Sequence, residues 1–281
     1  MNDRRVRPLQ SMGGRGLVRL VSAVLLAALL QACASAPPSA AGKNSTREVR
    51  ASTDNADPER RAVLRLELAS LYFSRGQTTT ALDEVQQALE ARPDLPGAHT
   101  LRGLIYASLG DNRRSEDSFK RALEISPSDG DAMHNFGWVL CQQQRFTEAD
   151  ALFDRALAQP RYRDLVKTHL AQGVCLARAG RWAEAERSLA RSYELDPANP
   201  MTAFNLSEVL LRRGELERAR FYVARINSLQ EFSSAQSLWL AARIERRIGN
   251  VPAVQSFGRQ LLDRFPQSPE ALQYERGRFD D

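Results

Sequence analysis

Cysteine, histidine, methionine and tryptophan are all scarce in this chain, with three Cys, three His, four Met and three Trp among 281 residues. So few cysteines exclude a small disulfide-dense scaffold. No Gly-rich phosphate loop, nucleophile elbow or paired metal-ligand motif is present, so the sequence contains no candidate catalytic triad. No enzyme activity, cofactor, metal or small-molecule substrate is expected.

Long apolar runs are equally rare. Residues 17–30 form one, with Arg19 near its start and Arg4, Arg5, Arg7 and Arg15 before it. At about 1.5 Å per residue these fourteen positions reach roughly 21 Å, short of the about 30 Å of a bilayer core. A charged start followed by a short apolar stretch is the layout of a secretory signal. The stretch ends in Leu30-Gln31-Ala32-Cys33, which resembles the lipobox of bacterial lipoproteins. The resemblance implies that Cys33 takes a diacylglyceryl group and becomes the first mature residue. The other reading is ordinary signal-peptidase cleavage near Ala32 or Ala34. Similar lipoproteins use Asp after the cysteine for inner-membrane retention. Ala34 in that place implies the periplasmic face of the outer membrane of a Gram-negative bacterium.

The formal charge of +5 and pI near 9.4 invite a nucleic-acid reading. Residues 1–32, however, hold five Arg against one Asp, a net +4. The mature chain is left near +1, and no nucleic-acid partner is expected. Removing Cys33 from the count leaves Cys141 and Cys175. In an oxidising periplasm they can form a disulfide, favoured here, or pack as two buried thiols. Residues 33–57, rich in Ala, Ser, Pro, Asn and Asp, read as a flexible tether spanning about 25–30 Å.

Beyond Pro58 the chain repeats. Ala69, Gly103, Gly137, Gly173, Ser207 and Ala242 are separated by 34, 34, 36, 34 and 35 residues. Three residues after each come Tyr72, Tyr106, Leu140, Leu176, Leu210 and Glu245. Twelve after come Ala81, Ser115, Ala149, Ala185, Ala219 and Val254, and Pro93, Pro127, Pro160, Pro197 and Pro266 close the units. Gly76, Gly110, Gly180, Gly214 and Gly249 punctuate the middle of five of them. The pattern resembles the tetratricopeptide repeat, in which small residues let two antiparallel helices approach and proline ends the second. The expectation is an all-α, right-handed superhelix of about six repeats across residues 58–281. The units lie near 62–95, 96–129, 130–165, 166–199, 200–234 and 235–268, followed by a tail. Glu245 and Gly258, at normally apolar positions, are read as the solvent-facing side of a terminal unit, and residues 270–274 as a helical cap.

His99, His134 and His169 recur at intervals of 35 residues, which places them on successive first helices. Those axes lie about 8–10 Å apart or more, whereas ligands of one zinc ion sit about 2 Å from it. They are read as packing residues. The first helices line the concave surface of such a solenoid, where a protein segment can lie. Repeat position assigns to that groove Phe73, Leu104, His134, Asn135, Trp138, Gln142, Val174, Arg178, Phe204 and Asn205. Lys167, Trp239, Arg243 and Arg247 share the inner face, and the aromatics there can equally seal the core.

Units three and four carry more than the generic pattern. His134-Asn135-Phe136-Gly137-Trp138-Val139-Leu140-Cys141, Arg145-Phe146-Thr147-Glu148-Ala149, Pro160-Arg161-Tyr162 and Gly173-Val174-Cys175 resemble the type IV pilus biogenesis and stability lipoproteins PilF and PilW, as does Ala219-Arg220-Phe221-Tyr222. The resemblance covers residues 62–226 well and the last unit loosely. It implies a pilotin-like lipoprotein that binds the pilus secretin and promotes its outer-membrane localisation and multimerisation. A general periplasmic scaffold for cell-wall synthesis or outer-membrane protein assembly is the alternative.

Overall fold

The computed structural model describes residues 57–279. The expected signal peptide, Cys33 and the expected tether, up to residue 56, lie outside the described residues. Among the described residues the chain folds into thirteen α-helices and no strand: α1 (Pro58–Ser74), α2 (Thr78–Ala91), α3 (Pro96–Ser108), α4 (Asn112–Ile125), α5 (Gly130–Gln142), α6 (Phe146–Leu157), α7 (Leu165–Arg178), α8 (Trp182–Leu195), α9 (Pro200–Arg212), α10 (Leu216–Asn227), α11 (Ala235–Ile248), α12 (Val251–Arg264) and α13 (Pro269–Glu275). Helices α1 to α12 pair into six hairpins, and each hairpin stacks on the next in chain order.

The small register residues explain the pairing. A Cβ on Gly103 would lie 2.8 Å from the Phe119 ring, one on Gly137 3.0 Å from Phe153, and one on Gly173 2.5 Å from Leu189. Each first helix therefore offers a hollow that a bulky, fully buried side chain of the second helix fills. Truncating such a core side chain costs about 2–5 kcal/mol. Hydroxyls tighten the same crossing: Ser115 donates to the Gly103 carbonyl and Ser207 to that of Ala219, both at 2.8 Å.

Side-chain caps start many helices, with Asp111, Asp129 and Asn199 accepting from backbone N–H groups of α4, α5 and α9. Each such cap contributes about 1 kcal/mol. Left-handed residues end the first helices. Gly110 does so at φ 76°, but unit three has no glycine at that turn and Gln144 takes φ 63° instead.

The longer spacing between units three and four has a use. Residues 158–164 connect α6 to α7, where the four-residue links 92–95, 126–129 and 196–199 join units one to two, two to three and four to five. The extra length lays the buried Tyr162 across the start of α5, where a Cβ on Gly130 would come within 2.5 Å of its ring. Tyr162 then shares a hydrogen bond with Thr168 of α7 at 2.5 Å.

The last unit corrects the sequence reading. Glu245 does not face water. It is 5% exposed, and its carboxylate accepts two hydrogen bonds from Arg220 of α10, at 2.7 and 3.0 Å, and one from Asn250 at 2.7 Å. A buried charge is tolerated when paired and hydrogen-bonded in this way. Gly258 is also buried, because Tyr274 of α13 lies against it. Trp239, placed on the inner face by its register, is covered by the chain's own Phe279, whose ring centroid lies 4.9 Å away.

Candidate peptide-binding groove

Three first helices, α5, α7 and α9, frame a groove of about 490 Å³. Helical periodicity on α7 aligns Lys167, Leu170, Ala171, Val174 and Arg178 on one face, and all five line the groove. His134, Asn135 and Trp138 face them from α5, with Met201 and Asn205 from α9. Six of the ten groove residues expected from sequence thus converge here: His134, Asn135, Trp138, Val174, Arg178 and Asn205.

The other four lie elsewhere. Phe73 and Leu104 pack, partly buried, against the cores of the first three units. Gln142 is exposed and outside the groove. Phe204 packs on the core of unit five and lines a neighbouring hollow of about 430 Å³ with Pro200, Met201, Ile226 and Phe232. Leu170, Ala171 and Met201 were missed by repeat position. The 3.6-residue period running through Lys167 and Arg178 is the signal that would have found the first two.

The groove wall is held from behind. Cys141 of α5 and Cys175 of α7, both 1% exposed, are joined by a disulfide with Cα atoms 5.8 Å apart. His134 Nδ1 pairs with the Thr168 hydroxyl at 2.8 Å, and that hydroxyl also meets Tyr162. One buried polar chain therefore links α5, α7 and the long connection. Burial pushes the His134 pKa down to about 4, with the nearby Lys167 charge acting in the same direction. His134 is neutral at neutral pH. The other two histidines are held separately: His99 Nε2 pairs with the Pro93 carbonyl at 2.8 Å, and His169 packs with Nδ1 buried.

Trp138 has two roles. Part of the indole packs on the core of unit three, while the Arg178 guanidinium lies 5.4 Å from its ring centroid. Such a cation–π contact contributes about 0.5–1 kcal/mol at an exposed site. It also fixes the Arg178 head at the groove edge. Among the described residues, neither Lys167 nor Arg178 has a carboxylate within ion-pair distance. Beyond Arg178 the groove continues into a hollow lined by Ala177, Trp182, Glu208, Val209 and Arg212. Amide, guanidinium, ammonium, indole and aliphatic surface can hold an extended chain by hydrogen bonds, charge and contact. Among the described residues no group of three or more His, Cys, Asp or Glu is placed to hold a metal ion.

Tetratricopeptide-repeat models match residues 66–130, 134–200 and 176–243, which makes this a tetratricopeptide-repeat protein. The solved structure of PilW, described as a widely conserved type IV pilus biogenesis factor, superposes with a TM-score of 0.70 at 31% identity, covering 75% of this chain and 97% of PilW. The type IV pilus assembly protein PilF of Pseudomonas aeruginosa is 23% identical over 219 residues, 78% of this chain and 86% of PilF. Its solved structure superposes with a TM-score of 0.68 at 21% identity, covering 79% of this chain and all of the PilF chain. The chain belongs to the PilF and PilW family of tetratricopeptide-repeat type IV pilus biogenesis proteins. The alignment with PilF is longer than the stretch 62–226 on which the sequence resemblance rested. YrrB, described as a tetratricopeptide-repeat protein with an unusual peptide-binding site, shares the fold with a TM-score of 0.57 at 19% identity, covering 68% of this chain and 97% of YrrB.

Proposed function

We propose that this protein is a pilotin-like outer-membrane lipoprotein of type IV pilus biogenesis. Acyl chains on Cys33 hold it at the periplasmic face, and its concave groove binds a segment of the pilus secretin, promoting secretin localisation and multimerisation. The observation that carries this reading is the groove across units three to five in a chain of the PilF and PilW family. Each buried methylene of an acyl chain contributes about 0.8 kcal/mol, so several chains make a durable anchor. Tethering raises the local concentration of the groove, and moderate affinity for the secretin segment then suffices.

Deleting the gene tests the proposal. Secretin multimers and surface pili are expected to be lost, and normal levels of both would sink it. Cys33→Ala is expected to release the protein from the membrane fraction and to reproduce the defect. Asn135→Ala combined with Arg178→Ala is expected to weaken secretin capture while leaving the melting temperature near wild type, because both side chains contact the groove rather than the core.

A further inference from the structure

We infer that the concave face of units four to six receives an acidic internal segment of a protein partner, its carboxylates laid along a row of arginines. The inference rests on the reading of that face as the partner-binding surface, and it names the chemistry of the partner. Arg178, Arg212 and Arg247 each follow the register residue of their unit, Gly173, Ser207 and Ala242, by five positions. They therefore hold equivalent places on α7, α9 and α11. The same position in units one to three is Ser74, Ser108 and Gln142, so the charge is confined to one half of the solenoid.

Among the described residues, other exposed arginines, such as Arg75 and Arg155, also have no carboxylate partner, and what sets these three apart is that they share one register position as well. Arg145, Arg181, Arg213, Arg218 and Arg220, at the turns and on the second helices, each contact one or more carboxylates. Among the described residues, Arg178, Arg212 and Arg247 have no carboxylate within 4 Å, and neither does Lys167 at the other edge of the groove. All four are exposed. Glu208, in the hollow shared by Arg178 and Arg212, is already engaged by Arg243 at 3.5 Å. The groove thus presents cations without counter-charges above an apolar floor.

Geometry favours a segment in the extended polyproline II conformation. Successive first helices touch, which spaces the arginines at roughly 8–10 Å. A polyproline II chain advances about 3.1 Å per residue with three residues per turn, so an acidic side chain at every third position faces the row and keeps pace with it. A free C-terminus offers one carboxylate at one point and does not match several cations in line. The exposed Met201 joins the groove to the hollow lined by Phe204, Ile226 and Phe232, which suits an apolar side chain of the same segment. Phosphates of a nucleic acid are disfavoured, because the mature chain is near neutral and Glu208 and Glu231 line the adjoining hollows.

The test uses the full-length protein in non-ionic detergent and fluorescence anisotropy. The probes are a labelled blocked peptide of repeating Asp-Leu-Ala units, its Lys-Leu-Ala counterpart and an oligo-dT. The acidic peptide is expected to bind about tenfold or more tighter than either of the others, and to weaken as salt rises. Arg178→Glu with Arg212→Glu is expected to weaken it by about tenfold or more, while Arg178→Lys with Arg212→Lys retains most of the binding. Circular dichroism melting of both variants near wild type is expected, since the side chains are exposed. Equal or tighter binding of the basic peptide or the oligonucleotide, or wild-type affinity in the Glu variant, overturns the inference. Purified secretin provides the separating arm: secretin binding that survives charge reversal overturns the arginine row and leaves the pilotin reading standing.

Discussion

The ring of Tyr274 occupies the space that a side chain on Gly258 would need. The glycine of α12 and the tyrosine of α13 are thereby one packing unit, and the short final helix is keyed to the last hairpin through it. Ala271 and Leu261, both fully buried, complete the seal with the partly buried Phe265.

Gly258→Ala is expected to destabilise the protein by about 1–3 kcal/mol, the usual cost of overfilling a packed site. The loss belongs mainly to the contact with α13. Adding Tyr274→Ala removes the obstructing ring, so the double variant should be more stable than the sum of the two single losses allows. Urea denaturation of the four proteins measures this. Strict additivity would dissociate the two residues.

Gln144 is the one non-glycine residue in the left-handed region among the described residues. That conformation costs an L side chain about 1–2 kcal/mol. Glycine removes the penalty but adds conformational freedom to the unfolded chain, worth about 0.5–1 kcal/mol in the opposite direction. Gln144→Gly is therefore expected to raise stability by a net amount of about 0.5–1 kcal/mol. An unchanged or lower melting temperature would contradict it.

The Cys141–Cys175 bridge spans a sequence separation of 34 residues. Loop-closure entropy gives such a cross-link about 4 kcal/mol. Reduction, or Cys141→Ser with Cys175→Ser, should lower the urea midpoint accordingly. Because the bridge joins α5 to α7, the proposed capture of the secretin should fall with it when measured close to the unfolding midpoint.

His134 titrates near 6.5 in the unfolded chain and near 4 when folded. As pH falls through that window the unfolded state takes up the proton first, so folding stability declines, by about 3 kcal/mol across the full interval. Below the folded value no further loss comes from this residue. His99 and His169 are also lowered by burial and add in the same direction. The diagnostic is thus the difference between wild type and His134→Gln, whose stability should depend less on pH between about 6.5 and about 4. Parallel curves would remove His134 from the account.

The repeat was legible from sequence because its cause is local and periodic. Gly103, Gly137 and Gly173 are small for the same reason in each hairpin, and the groove helices inherit their register from them. What escaped was long-range or tilted. Glu245 looked misplaced because its partner, Arg220, lies 25 residues upstream. Trp239 looked available because nothing in its neighbourhood announces Phe279. Leu104 shares a repeat position with Trp138 and Val174, yet it packs onto the core that runs from Phe119 into unit three, and Phe73 packs onto the core of units one and two. Register specifies which helix face a residue occupies and leaves the final direction of a long side chain to its neighbours.

Each hairpin touches only its immediate neighbours along the chain. Mechanically these interfaces are springs connected in series, so compliances add and a small adjustment at every junction sums to a large one across the array. A segment lying over several units would therefore set the curvature of the whole groove, and the stiffest joint, the one bridged between α5 and α7, would act as the fixed point about which the remaining units bend.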